Sequence, residues 1–299
     1  METFTPTADA DGWDITFRNL TAGYGTRAVL SDINATLPGG KVTVILGGSG
    51  CGKSTLLRHI IGLSRPIGGS ILIGGHDFFH LPGGEFRRLR RHMGVLFQDG
   101  ALLGALTLAQ NVALPLTEHL RLSKDVVRRA ALRVLRMVEL EDFADFYPNE
   151  LSGGMRKRAG LARAIIAEPR ILLCDEPTSG LDPITAARMD ALLKGMHAFY
   201  PAMTMIVVSH DLASLDAIAD HVLVLREGHA VFSGSLEELR ASDDPYLRRF
   251  LHREAGDDGG GLTHTPPDPE VREALRRWQE SGGRTSAGQR PAPQARQKK

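Results

Sequence analysis

Apolar residues in this chain follow two alternating rhythms. Short unbroken runs at 41–46 (KVTVIL), 171–174 (ILLC) and 205–208 (MIVV) lack the polar alternation of a half-exposed strand. They predict parallel strands covered on both faces. Between them lie stretches with helical spacing. Residues 54–63 follow a glycine-rich turn, and Ser123 can cap a helix running to Leu140 with Val127, Ala131, Val134 and Val138 on one stripe. A basic helix spans 156–167, and Asp182 caps and Pro183 opens another that ends before Pro201. Near the end, 221–225 and 230–232 flank a turn at Glu227-Gly228, a hairpin signal. The alternation predicts an α/β fold with a parallel core and antiparallel strands at its start and end.

The 299 residues carry 36 Lys+Arg against 35 Asp+Glu, a formal net charge of +1. That balance argues against a general nucleic-acid binder, which needs a basic surplus. Cys51 and Cys174 are too few for a disulfide framework and point to a reducing compartment. Acidic residues in the first fourteen positions (METFTPTADADGWD) do not suit a secretory signal. The most apolar window, 101–116, is interrupted by Gln110, Asn111 and Pro115 before it reaches spanning length. Composition changes after about residue 254. Residues 256–261 (GDDGGG) and 263–267 (THTPP) read as a linker, and 261–299 hold eight basic and four acidic residues with few large apolar ones.

Three patterns carry chemistry. Gly47, Gly48, Ser49, Gly50, Cys51, Gly52, Lys53 and Ser54 spell GGSGCGKS between a predicted strand and helix, fitting G-x-x-x-x-G-K-[ST], with Thr55 next in line. Glycines allow successive N–H groups to converge on phosphate oxygens at the positive end of a helix dipole. Lys53 would reach the β- and γ-phosphates and Ser54 would face Mg²⁺. Second, 171–176 (ILLCDE) ends an apolar strand on two carboxylates. Asp175 is placed to hold Mg²⁺ through water and Glu176 to polarise the attacking water as general base. Third, 151–155 (LSGGM) opens the basic helix with Ser152 as its cap.

The order of these motifs resembles the ATP-binding cassette (ABC) family: phosphate loop, Gln98, LSGG, the Asp-Glu strand, SGLD at 179–182, then His210 after a strand. The resemblance covers roughly residues 13–253. It implies a P-loop NTPase parallel-sheet core with an antiparallel β subdomain and a helical subdomain at about 99–165, preceded by an extension at 1–12. It also implies ATP and Mg²⁺ as cofactors and hydrolysis of ATP to ADP and phosphate. Tyr24 resembles the aromatic residue that stacks on adenine. Gln98 resembles the residue that touches Mg²⁺ and water and senses the membrane partner, and His210 the switch histidine at the γ-phosphate. Ser152, Gly153 and Gly154 would contact the ATP held by a second protomer, with Asp182 in the loop joining the two. Met155, Cys51 and Gly48 depart from the commonest family pattern.

The run 94–116 (GVLFQDGALLGALTLAQNVALPL) with LSGGMRKRAGLARA is similar to ATPases that serve mammalian-cell-entry (MCE) proteins, the Mla-type phospholipid transporters. That likeness implies a homodimer bound through a separate permease to the cytoplasmic face of the inner membrane, with an MCE-type lipid-binding protein and no nucleic acid. An importer ATPase for amino acids or another small solute has a similar pattern. A soluble ABC ATPase that serves no transporter is the further alternative, against which the single cassette and the absence of Cys clusters count. Within the tail at 254–299, Asp268 and Pro269 can start a helix over 268–280 that places Val271, Ala274, Leu275 and Trp278 on one stripe. Such a helix, marginal alone, is expected to dock on the second protomer. Cys51, at a helix N-terminus beside Lys53, is expected to be a reactive thiol.

Overall fold

The computed structural model describes residues 12–252 and 268–280, which fall in two separate compact units divided after His252. In the larger unit the chain opens with three strands, β1 (Ile15–Tyr24), β2 (Arg27–Leu37) and β3 (Val42–Gly47), and helix α1 (Lys53–Ile60). Then come β4 (Gly68–Ile73), β5 (His76–Asp77), α2 (Gly83–Arg90) and β6 (Met93–Leu96). Three helices follow: α3 (Leu108–His119), α4 (Lys124–Met137) and α5 (Gly153–Ile165). The remainder runs β7 (Ile171–Asp175), α6 (Pro183–Phe199), β8 (Thr204–Val208), α7 (Leu212–Ile218), β9 (His221–Arg226), β10 (His229–Ser235), α8 (Leu236–Ala241) and α9 (Pro245–His252).

Two sheets result. One is antiparallel, ordered β2-β1-β4-β5. The other is ordered β10-β9-β3-β8-β7-β6, parallel from β9 to β6 with β10 antiparallel at its edge. β3 and β8 are buried along their whole length, as their unbroken apolar runs require. Two apolar clusters flank the parallel sheet. Val44, Leu46, Leu172 and Val207 face α3, α4, α5 and α6, while Ile45, Leu173, Ile206 and Val208 face α1 and the antiparallel sheet. Alternate residues of each strand thus serve opposite layers.

Helix ends depart from the sequence expectation. α1 stops at Ile60 rather than Leu63, because Gly62 turns left-handed (φ 72°). α4 stops at Met137 rather than Leu140, with Glu139 left-handed (φ 59°) and the Leu140 N–H donating back to the Leu135 carbonyl. α5 begins three residues earlier than the basic stretch and ends at Ile165, two residues short of it. In the smaller unit α10 (Pro269–Glu280) forms, the Asp268 carboxylate accepting from the Glu270 N–H at 2.8 Å. Val271 and Leu275 are exposed on it. The side chain of Trp278, the linker at 254–267 and the extension at 1–11 lie outside the described residues. No helix among the described residues is long and apolar enough to cross a membrane.

Candidate nucleotide site

Four neighbouring parallel strands, β3, β8, β7 and β6, deliver the candidate residues from their carboxyl ends. Gly47 ends β3, Asp175 ends β7 with Glu176 after it, His210 stands two residues beyond β8, and Gln98 two beyond β6. Open α/β sheets hold ligands at this rim. Here they border a cleft of about 570 Å³, lined by the loop glycines, Lys53, Ser54, Thr55, Gln98, Glu176 and His210.

The phosphate loop depends on its glycines. Gly52 has φ 107°, and a Cβ there would lie 2.4 Å from Leu30 Cδ2; a Cβ on Gly47 would lie 2.3 Å from the Leu225 carbonyl oxygen. Lys53 is buried and folds back over the loop, its Nζ donating to the carbonyls of Gly47 (2.7 Å) and Gly48 (3.0 Å). An anion in the cleft would therefore meet an ammonium already positioned. Cys51 is buried beneath the loop, while Lys53 Nζ points to the carbonyls rather than to the thiol. Tyr24 is not among the cleft-lining residues; half exposed, its hydroxyl accepts from Thr55 Oγ1 at 3.4 Å.

Opposite the loop, His210 Nδ1 lies 2.6 Å from Glu176 Oε2, with the imidazole mostly exposed and the carboxylate largely covered. Glu176 has φ 50°, a costly backbone setting for a non-glycine residue and one that collects at functional sites. Its N–H donates to the Val208 carbonyl at 3.0 Å, and Lys157 Nζ donates to its carbonyl at 2.9 Å. Such a pair can take a proton from water at the carboxylate while the imidazole steadies the carboxylate.

Burial and the neighbouring Glu176 push the Asp175 carboxyl above its ordinary range, against the pull of Arg58, Lys53 and a hydrogen bond from Ser54. Asp175 Oδ1 is buried without a hydrogen-bond partner. One orphaned carboxylate oxygen, a hydroxyl and the Gln98 side chain suit Mg²⁺, which keeps waters and phosphate oxygens for its other positions. No cluster of three or more His, Cys, Asp or Glu side chains that could cage a metal occurs among the described residues.

Ser152, Gly153 and Gly154 do not join this cleft. They open α5, with the Ser152 hydroxyl accepting from the Met155 N–H at 3.3 Å. Ser152 and Gly153 are exposed, whereas Gly154 is buried against Thr185 of α6. Ser179, which opens the SGLD motif, also lines the cleft, and the structure adds two residues that sequence reasoning did not single out: Val29 and Phe250. Phe250 had a faint signal, since Tyr246 and Phe250 are spaced for one face of a helix.

Residues 30–179 match the ABC transporter family. A probable ribonucleotide transport ATP-binding protein, mkl, of Mycobacterium tuberculosis is 41% identical over 83% of this chain and 70% of its own length. The intermembrane phospholipid transport ATP-binding protein MlaF of Haemophilus influenzae is 38% identical, over 87% of this chain and 97% of its own. Among solved structures, the dimeric post-hydrolysis state of the ATP-binding cassette MJ0796 bound to ADP and Pi superposes with a TM-score of 0.67 at 33% identity. It covers 74% of this chain and 98% of that one. The motif order, the cleft at the strand ends and these relatives agree: the chain is an ATP-hydrolysing member of the ABC transporter family.

Proposed function

We propose that this chain is the ATPase subunit of a transporter that moves phospholipid between membranes. What carries the reading is the meeting of phosphate loop, Gln98, Glu176 and His210 around one cleft, in a chain similar to MlaF over 97% of that protein's length. The glycines and Lys53 bind the ATP phosphates, and Tyr24 stacks on the base. Glu176 takes the proton of the attacking water, and His210 holds Glu176 and faces the γ-phosphate. Ser54, Asp175 and Gln98 would hold Mg²⁺, which when bound neutralises charge on the phosphate oxygens.

Because Ser152 and Gly153 are exposed outside their own cleft, a second protomer is the partner they suit. The transporter complex would then comprise a homodimer, a membrane permease on whose cytoplasmic face it sits, and an MCE-type lipid-binding protein. In domain terms, 13–253 is the cassette with a helical subdomain at about 99–165, and α10 docks its exposed stripe on the partner protomer. Truncation after Arg253, or Trp278→Ala, should weaken dimerisation in gel filtration with ATP affinity unchanged.

Two measurements test the reading. Glu176→Gln should bind ATP normally and lose turnover by roughly 100-fold or more, since only the base is removed; near-normal hydrolysis would refute the assignment. Mass spectrometry of lipids in the purified complex tests the cargo. Enriched phospholipid supports the proposal. A ribonucleotide cargo, suggested by mkl, would instead appear as stimulation of ATPase activity by ribonucleosides with no lipid retained.

A further inference from the structure

Lys157 is one of two buried lysines among the described residues, and unlike Lys53 it does not line the cleft. It lies on α5, little more than one helical turn beyond the Ser152 cap. Its Nζ donates to two backbone carbonyls, those of Glu176 (2.9 Å) and Ser179 (2.6 Å). These carbonyls bracket the turn that leaves β7, which begins with left-handed Glu176 and ends with Asp182 capping α6. Burial lowers the affinity of Lys157 for its proton, and the carboxylates of Asp99 and Glu176 work against that loss. A buried ammonium is costly unless its donors are used, and here two of three are spent on the turn that presents the base.

The same helix holds the loop that follows Gln98. Arg163 donates to the carbonyls of Gly100 and Ala101, both at 2.8 Å. The fit is close enough that a Cβ on Gly160 would lie 2.9 Å from Gly100 Cα, and one on Gly100 2.7 Å from the Arg156 carbonyl oxygen. One rigid helix thus carries an exposed N-terminus at Ser152–Gly153, a bracket on the Gln98 loop and a bracket on the Glu176 turn.

We propose that Lys157 is a positioning residue for ATP hydrolysis: its ammonium fixes the carbonyls of Glu176 and Ser179 and so ties the aim of the Glu176 carboxylate to the setting of α5. Whatever moves α5, an anion at its N-terminus or a shift in the Gln98 loop, then moves the base as well. A left-handed glutamate depends on such outside support, because its own backbone preference opposes the conformation. The inference rests on the reading of Glu176 as the base.

The test uses the full chain with Lys157→Met, Lys157→Gln and Lys157→Arg, and Glu176→Gln in parallel. ATP affinity is measured by calorimetry, turnover by phosphate release and folding by circular dichroism. Lys157→Met should fold and bind ATP within about twofold of wild type, while kcat falls about tenfold, equivalent to ~1.4 kcal/mol of lost transition-state stabilisation. Lys157→Arg, which keeps a cationic donor, should recover most of that loss. Wild-type kcat in both neutral variants would overturn the inference, and so would ATP affinity falling in step with kcat. Failure of both neutral variants to fold would make Lys157 a structural residue only and overturn it equally. If Glu176→Gln itself retains turnover, the reading of the base has failed; if Glu176→Gln is inactive while Lys157→Met is not, only the positioning role has failed.

Discussion

Two glycine-rich turns in this chain each open a helix, and they are built in opposite senses. The turn before α1 is concave: Gly47, Gly50 and Gly52 take positive φ, and Lys53 returns its ammonium to the loop's own carbonyls. No side chain caps α1, so its N–H groups stay open to whatever enters the cleft. The turn before α5 is self-capped and exposed. The Ser152 hydroxyl already satisfies one helix N–H, Gly153 has nearly empty space where a Cβ would stand, and Gly154 is pinned to Thr185. Both turns present a helix dipole to an anion. The first turn lines the cleft, and its open N–H groups and Lys53 would meet an anion there without help from another element. The second lies outside the cleft, with Ser152 and Gly153 exposed, so only an anion brought from elsewhere could meet it.

Breaking the first turn should have the largest effect. Gly52→Ala places a Cβ at φ 107° and 2.4 Å from Leu30 Cδ2. Strain of this kind costs on the order of 1–3 kcal/mol, so ATP affinity should fall roughly tenfold to 100-fold by calorimetry, with turnover following. Wild-type affinity in that variant would mean the loop glycines do not form the phosphate cradle.

Breaking the second turn should separate binding from turnover. Gly153→Asp puts a carboxylate at a helix N-terminus, which favours the helix by about 0.3–1 kcal/mol. The melting temperature should therefore hold or rise. The same charge repels a phosphate approaching from a partner, so hydrolysis should drop about tenfold or more while the isolated chain keeps its ATP affinity. A parallel loss of affinity and turnover would place this turn in its own protomer's site and collapse the contrast.

How far the sequence could be read follows from the same contrast. β3, β7 and β8 were legible to within a residue because strands buried on both faces have almost no polar positions to blur them. The phosphate loop was legible because its spacing is imposed by one ligand geometry. Lys157 was not, since it reads as one cation among several in a basic helix, and only the packing of α5 on the Glu176 turn reveals it. The helix ends at Ile60 and Met137 differ from the expectation because left-handed Gly62 and Glu139 close each helix locally, while apolar periodicity runs on past them. The Leu63 N–H donates to the Arg58 carbonyl and the Leu140 N–H to the Leu135 carbonyl. Phe250 stands 40 residues beyond His210, the last motif residue, and beyond its helical spacing with Tyr246 no rule brings it to the cleft.

A third change sharpens the contrast from behind the second turn. Asp190, on the α6 helix that Gly154 touches, is buried between α6 and α7 and accepts from Ser214 Oγ at 3.0 Å. Burial raises its carboxyl to about 6 from 3.8; the nearby Asp211 adds to the rise, and the Ser214 hydrogen bond opposes it. The folded state therefore holds a proton that the unfolded state releases at lower pH, so stability is lost as pH climbs from about 4 through about 6. Two units correspond to at most about 3 kcal/mol. Asp190→Asn, neutral throughout, should be more stable than wild type by about 1–3 kcal/mol near pH 8 in urea unfolding, with the gap narrowing toward pH 4. A gap that does not change with pH would show that the carboxylate is not the strained group.

The smallest effect belongs to the two thiols, which report on the first turn without disturbing it. Cys174 is wholly buried in β7, and burial, with Asp175 beside it, pushes its thiol far above the ordinary value, so it should resist alkylation. Cys51 is 7% exposed, packed where a Cβ on Gly47 would stand 2.5 Å from its sulfur. A reagent can reach it only when the loop opens, so labelling at neutral pH should be slow and confined to Cys51, as read by mass spectrometry. MgATP bound on this loop should slow the reaction further. Cys51→Ser should hydrolyse ATP within about twofold of wild type, because a hydroxyl fits the space of a buried thiol at modest cost. Equal labelling with and without MgATP would mean the nucleotide does not sit on this loop. Labelling of Cys174 at the rate of Cys51 would mean that β7 opens as readily as the loop, and the contrast between a rigid strand and an adaptable cradle would fail with it.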